Sequence, residues 1–259
     1  MIRNLLIITG VGLFLAIVGI GGAVALGGRD LARHEWTWVV SEGPMGDSDL
    51  RLQRGRVEPD ATRTLAWDGA ERLSVDVPAE VTFVQGDQAG VRLTGPRSVV
   101  DRVRFENGRL TLHDVGHDTE RGYIRWSANG VRVWSETESL RVVVTAPDVR
   151  AFEMVGSGDL SIRDYDQPAL ELTVHGPGDI DVHGRTDLLT VEVNGSGDVD
   201  LDRLVTTDAA ITIRGSGDVV AGPTGSARVD VAGSGDVTLT RRPDRLSQTI
   251  DGSGDVDVP

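Results

Sequence analysis

Gly-Ser-Gly-Asp recurs through the second half of the chain, at Gly156–Asp159, Gly195–Asp198, Gly215–Asp218, Gly233–Asp236 and Gly252–Asp255. A further copy, Gly176–Asp179, carries Pro177 in place of serine, and successive first glycines lie 20, 19, 20, 18 and 19 residues apart. A repeat of this length predicts a solenoid in which each repeat is one coil stacked on its neighbours.

The flanks define the kind of solenoid. Counting from each first glycine, positions −4, −2, +4 and +6 hold an apolar residue in 23 of 24 cases, from Phe152, Met154, Leu160 and Ile162 to Ile250, Val256 and Val258; Gln248 is the exception. The positions between them hold only three, Val155, Val220 and Ala232. Strict alternation on both sides of a glycine turn means strand, turn, strand, each strand with one buried face. β-branched residues dominate the inward set, as a pleated buried surface favours. A helix would need a period of 3.6. The pattern predicts an all-β chain, a parallel β-helix of coils of about 19 residues, with glycine supplying the backbone angles of a repeated corner.

The Gly-Ser-Gly-Asp copies followed by Val/Ile-x-Val/Leu resemble the GIN-domain family, described as an auto-transporter adhesin head. The stretch Val75–Gln85, with Gly86, Asp87 and Val91–Thr94, resembles that family's opening segment. The resemblance spans roughly residues 66–259 and implies a right-handed β-helix in a bacterial envelope protein, with no established biochemical activity. Four residues follow the last motif, so no translocator barrel is expected after it.

The chain has 259 residues and a net charge of −14; from Gly156 onward, 19 acids face 8 arginines. That balance argues against a nucleic-acid partner, which needs a basic face for phosphate. There is no cysteine, which excludes disulfides, thiolate metal sites, a cysteine nucleophile and an acylated lipoprotein anchor.

Leu5–Leu26 carries no charge and is long enough to cross a bilayer. Residues 1–26 are therefore expected to be a membrane anchor or signal segment. The length favours an uncleaved anchor, although Ala23-Val24-Ala25 has the form of a cleavage site. Flanking arginines give nearly balanced orientation signals; the acidic solenoid favours an inner-membrane anchor in the bacterial envelope with a periplasmic or extracytoplasmic body. Residues 27–66 show no repeat and read as a stalk or irregular cover, or as a short strand with Trp36, Trp38 and Val40 on one face. Residues 67–259 are expected to form the β-helical domain, with 70–147 as less regular coils of the same solenoid. Asn107-Gly108 marks a hairpin or corner. His113–Ser139, with Tyr123, Trp126 and Trp134, reads as a protruding hairpin turning at Asn129-Gly130 or as an end cap.

No catalytic signature is present: there is no lysine, no His-Glu-x-x-His, and no nucleophile elbow at a strand-to-helix turn. His113 and His117 are separated by Val115-Gly116, which argues against convergence on a metal; His175 and His183 flank a corner and are expected to face solvent. The residues that raise a chemical question are Asp159, Asp179, Asp198, Asp218, Asp236 and Asp255. Stacked about 4.8 Å apart, neighbouring carboxylates would repel by about 1 kcal/mol in water and by several where the dielectric is lower. Solvation, backbone hydrogen bonds or bound cations must offset that. Calcium solenoids have a period of about nine residues, half the period here, so plain corners are favoured over metal and no cofactor is expected.

The composite expectation is an envelope-anchored, non-catalytic, adhesin-like interaction module. Its partner would be an envelope protein or glycan, and its C-terminal coil would self-associate or be covered by His113–Ser139. The alternatives are a polysaccharide-active β-helical enzyme and a calcium-binding solenoid.

Overall fold

Alternating apolar residues around fixed glycine corners leave the backbone no partner within one repeat, so its hydrogen bonds go to the repeats on either side. The computed structural model shows that arrangement. It describes residues 36–42, 50–54, 58–113, 122–127, 130–135 and 137–259. The expected anchor or signal segment, Leu5–Leu26, lies outside the described residues. Among those described, no helix is long and apolar enough to cross a membrane.

In chain order the strands begin with β1 (Trp36–Glu42), β2 (Leu50–Arg54), β3 (Asp60–Leu65), β4 (Arg72–Asp76), β5 (Glu80–Gln85) and β6 (Gly90–Pro96). A single helical turn α1 (Arg97–Val100) leads to β7 (Val103–Glu106), β8 (Arg109–Leu112), β9 (Gly122–Ser127), β10 (Gly130–Ser135) and β11 (Arg141–Ala146). The repeat region follows as β12 (Ala151–Val155), β13 (Asp159–Asp166), β14 (Ala169–His175), β15 (Asp179–Val193), β16 (Val199–Asp200) and β17 (Leu204–Gly215). It ends with β18 (Val219–Ala221), β19 (Ser226–Gly233), β20 (Val237–Leu239), β21 (Arg245–Gly252) and β22 (Val256–Asp257).

Two compact units result, Met1–Val57 with Gly116–Ser135, and Glu58–Val115 with Glu136–Pro259. In the smaller, β1 pairs antiparallel with β2 and with β9, and β9 with β10. The aromatic segment is thus a hairpin, Ser127 opposite Gly130, and Tyr123 stacks on Trp134 at 5.6 Å between ring centroids. The strand reading of Trp36–Val40 also holds.

The larger unit is a solenoid of about five turns. Strands preceding the corners, β12, β14, the end of β15, β17, β19 and β21, pair in parallel. Strands following the corners, β13, the start of β15, β16, β18, β20 and β22, do the same. Like residues stack: Val193 aligns with Ile213, and Ile213 with Val231. The inward residues of the first five copies are all buried. The sixth departs from expectation. Ile250 is 39% exposed and Gln248 is exposed, because β21 pairs with β19 alone among the described residues.

Residues 70–147 are not simply earlier parallel coils. β4 and β5 do form one, stacked beneath β12 and β13. β6, however, runs antiparallel to both β3 and β11, and β7 and β8 form an antiparallel hairpin. For β7 and β8 the physical reason is the short connection: Asn107 and Gly108 take φ of 51° and 71°, the two positive angles of a two-residue hairpin turn. Aromatic side chains pack in the core where these strands meet the repeats, with Phe83 edge-on to Phe152 and Phe152 to Tyr165.

Candidate functional site

At the first five corners the three residues Ser-Gly-Asp (Pro177 replacing serine in one) alternate out, in, out, so the first and third are exposed and the second glycine is buried between them; Gly254 of the last corner is half-buried. The serine N–H of one coil donates to the first-glycine carbonyl of the coil before it, from Ser196 to Gly176, Ser216 to Gly195, Ser234 to Gly215 and Ser253 to Gly233. Pro177 has no N–H to donate, so its copy cannot make this bond. Gly176 itself takes a φ of 119°, the angle that the sequence pattern demanded of a corner glycine.

The aspartates form a hydrogen-bonded ladder. The N–H of Asp198 donates to Oδ1 of Asp179, Asp218 to Asp198, Asp236 to Asp218 and Asp255 to Asp236, each at 2.8 Å. The ladder ends where Oδ1 of Asp255 accepts from the N–H of Val256 in its own coil. Backbone hydrogen bonds together with solvent exposure therefore offset the stacked charges. Hydrogen bonds from N–H to a carboxylate are stronger than neutral ones.

A seventh acid, which the glycine motif could not reveal, extends the column. Glu80 pairs in register with Asp159, and Arg141 with Glu80, its Nε 3.8 Å from the glutamate Oε2. Here Val77-Pro78-Ala79 stands where later coils have Gly-Ser-Gly, with Ala79 O accepting from the N–H of Asp159. The alternation Leu73, Val75, Val81, Phe83 around an acid was the available signal. Burial, then Asp179 and then Glu80, push the Asp159 carboxyl above its ordinary range. Its ionised form is thus disfavoured by folding, so protonation at acid pH relieves the fold rather than weakening it.

Asp208 lies on a different face and behaves oppositely. It accepts from both Oγ and N–H of Ser226, at 2.6 and 2.7 Å, and these bonds hold its carboxyl below the ordinary range. It lines an open groove of about 590 Å³ with Leu188, Ala210, Arg228 and Leu246. No residue of the acidic column lines this groove, nor the smaller one around Arg72, Arg150 and Glu171. His175 and His183 lie at 3.7 Å from Glu153 and 3.0 Å from Asp181, and His113 accepts through its carbonyl from Arg102. His117 lies outside the described residues. Among those described, no group of three or more histidines and carboxylates is arranged to hold a metal.

The ladder makes a testable distinction between hydrogen bond and charge. In Asp218→Asn the amide oxygen still accepts from Asp236 while two like-charge contacts vanish, so the melting temperature should hold or rise slightly. Asp218→Ala removes the acceptor and should cost about 1 kcal/mol, or about 2–4 °C in a chain of this size. Calorimetry of both variants, with and without a chelator, checks this. Equal loss in both, or a chelator-induced drop in the unaltered protein, would show that a cation is needed.

A family model described as "Putative auto-transporter adhesin, head GIN domain" matches residues 71–243. Solved structures share the fold. A crystal structure described as a "putative adhesin" from Bacteroides fragilis NCTC 9343 is 16% identical with a TM-score of 0.57, over 76% of this chain and 95% of that one. Another, from Parabacteroides distasonis ATCC 8503, is 15% identical with a TM-score of 0.50, over 78% and 98%. No curated protein matches the chain.

Proposed function

The chain belongs to the GIN-domain family, and from that premise we propose that it is a non-catalytic, adhesin-like interaction module anchored in a bacterial envelope with its body outside the cytoplasm. The observation that carries this reading is the repetition of the chemistry. An acid-base enzyme needs carboxylates in different environments, one to give a proton and one to take it. Here Asp198, Asp218 and Asp236 have equivalent surroundings, each with one oxygen bonded to the next coil's backbone. What the solenoid offers is a regular outward face, on which Glu153, Thr173, Glu192, Thr212 and Asp230 stand in register. Rows of hydroxyls and carboxylates at strand spacing suit an extended hydrogen-bonding partner, a glycan or a protein strand. An acidic face disfavours polyanions.

The sequence supports an anchored arrangement through the uncharged Leu5–Leu26 run. The expected stalk over 27–66 is not a separate segment, because β3 pairs with β6 in the larger unit and β1 and β2 form a sheet with β9 and β10. The test is binding of the purified full chain to a panel of immobilised glycans and envelope proteins, alongside assays for sugar release. Saturable binding without product is expected. Cleavage of any polysaccharide would overturn this reading in favour of the β-helical enzyme.

A further inference from the structure

We propose that β21 is a self-recognition strand, through which two copies of this chain join end to end about a twofold axis at Gln248. Three independent observations on one strand converge on this.

The first is the free backbone. The N–H of Arg245 donates to Gly225 O and that of Ser253 to Gly233 O, so the odd-numbered residues of β21 point their polar groups at β19. In a ladder the even-numbered residues then point the other way. Leu246, Gln248 and Ile250 present N–H and C=O along an edge with no partner strand among the described residues. At the corner the situation differs, because Asp255 closes the last rung on its own chain through Val256. β21 is the longer of the two free edges on the last coil, since β22 spans only Val256–Asp257.

The second is the exposed inward row. Leu246 stacks in register on Ala227, and Ile250 on Val231, both buried, yet each is itself 39% exposed. The row is core surface left open at the end of the solenoid.

The third is the order of the side chains. Antiparallel pairing of two identical strands must match even residues with even residues, since only those carry free backbone groups. Centred on Gln248, that register sets Leu246 opposite the second copy's Ile250 and Gln248 opposite its own counterpart. It also sets Arg245 opposite Asp251 and Ser247 opposite Thr249. Apolar meets apolar, cation meets anion, hydroxyl meets hydroxyl, and amide meets amide. Gln248 is the single polar residue among the 24 inward flanking positions of the repeats. On the axis its amide pairs with the same group of the other copy, donor to acceptor, where an isolated core would leave it unsatisfied. The three pairs exchange about six backbone hydrogen bonds, and the isologous contact closes on itself as a dimer instead of extending into a fibre. This holds whether or not the solenoid is adhesive, because it rests on the strand alone.

The chain has no cysteine, so Gln248→Cys reports the axis alone. In the full-length protein, a short bifunctional thiol reagent should convert most of this variant to a covalent dimer, and Ser196→Cys at a corner should give little. Charge reversal supplies the second arm, read by analytical ultracentrifugation. Arg245→Asp and Asp251→Arg should each raise the dimer dissociation constant at least tenfold, since each change enters twice by symmetry, and the double reversal should restore dimerisation. A protein that stays monomeric at high micromolar concentration overturns the proposal. So does equal crosslinking through Ser196→Cys, or a double reversal no better than the singles.

Discussion

Ile213→Asp should cost about 4–5 kcal/mol and abolish the cooperative melt of the C-terminal coils. Ile213 is fully buried, with Val193 in register on one side and Val231 on the other. A carboxylate there has no donor or cation within the core, so the fold bears the full cost of burying a charge or of holding it protonated. Because each coil touches only its neighbours, the damage falls on the stacking of three coils and spreads to those beyond. The neighbouring position is the control. Thr212 faces outward between Glu192 and Asp230, so Thr212→Arg meets acids on both sides and should stay within about 0.5 kcal/mol of the unaltered protein. Circular dichroism melts of the two variants decide the matter; indistinguishable curves would mean that the assigned register is wrong.

The contrast between those adjacent residues shows why the solenoid was legible in the sequence. Period-2 alternation fixes which face is buried, and a slip of one residue would turn Ile211, Ile213, Val219 and Val237 outward together. The repeat period fixes what stacks on what, so Val193, Ile213 and Val231 could be placed in one row from their spacing from the glycines. Before Phe152 the repeat period is missing and only alternation remains. β6 and β11 alternate as clearly as the later strands, yet they pair antiparallel. Alternation reports burial and carries no information on strand direction. The corner of Val77-Pro78-Ala79 lacks the glycines altogether, which hid Glu80 from the acidic column.

The column itself was only half legible. Spacing placed the six aspartates in a row and raised the question of their repulsion. It could not show that each carboxylate accepts from the next aspartate's own N–H, because that bond depends on the offset between successive corners. The self-complementary order of Arg245, Leu246, Gln248, Ile250 and Asp251 was present in the sequence from the start. Its meaning required knowing which backbone groups of β21 are already engaged.

Gly217→Ala should cost about 3 kcal/mol, for a reason other than backbone angles. The first glycine of some corners needs a positive φ, as at Gly176. Gly217 is not among the residues with positive φ. Its constraint is the coil beneath it: an added Cβ would lie 2.1 Å from the carbonyl oxygen of Gly197, 3.0 Å from that carbonyl's carbon and 3.0 Å from a methyl of Val193. Backbone cannot swing aside as a long side chain could. Relief would require opening the coil spacing, which weakens the neighbouring serine and aspartate bonds, Ser216 to Gly195 and Asp218 to Asp198. Overpacking of a rigid contact on this scale costs about 1–3 kcal/mol, occasionally more, and here the backbone bonds on both sides add to it. Gly156→Ala isolates the other effect, since its Cβ would meet nothing within 4 Å and only the φ of 112° opposes it. That variant should lose about 1–2 kcal/mol, and Ser216→Ala, which is exposed, almost nothing. Chemical denaturation of the three variants should therefore rank Gly217→Ala below Gly156→Ala and both below Ser216→Ala. If Gly156→Ala proved the least stable, backbone conformation, not the close approach of stacked coils, would be what makes the motif glycine.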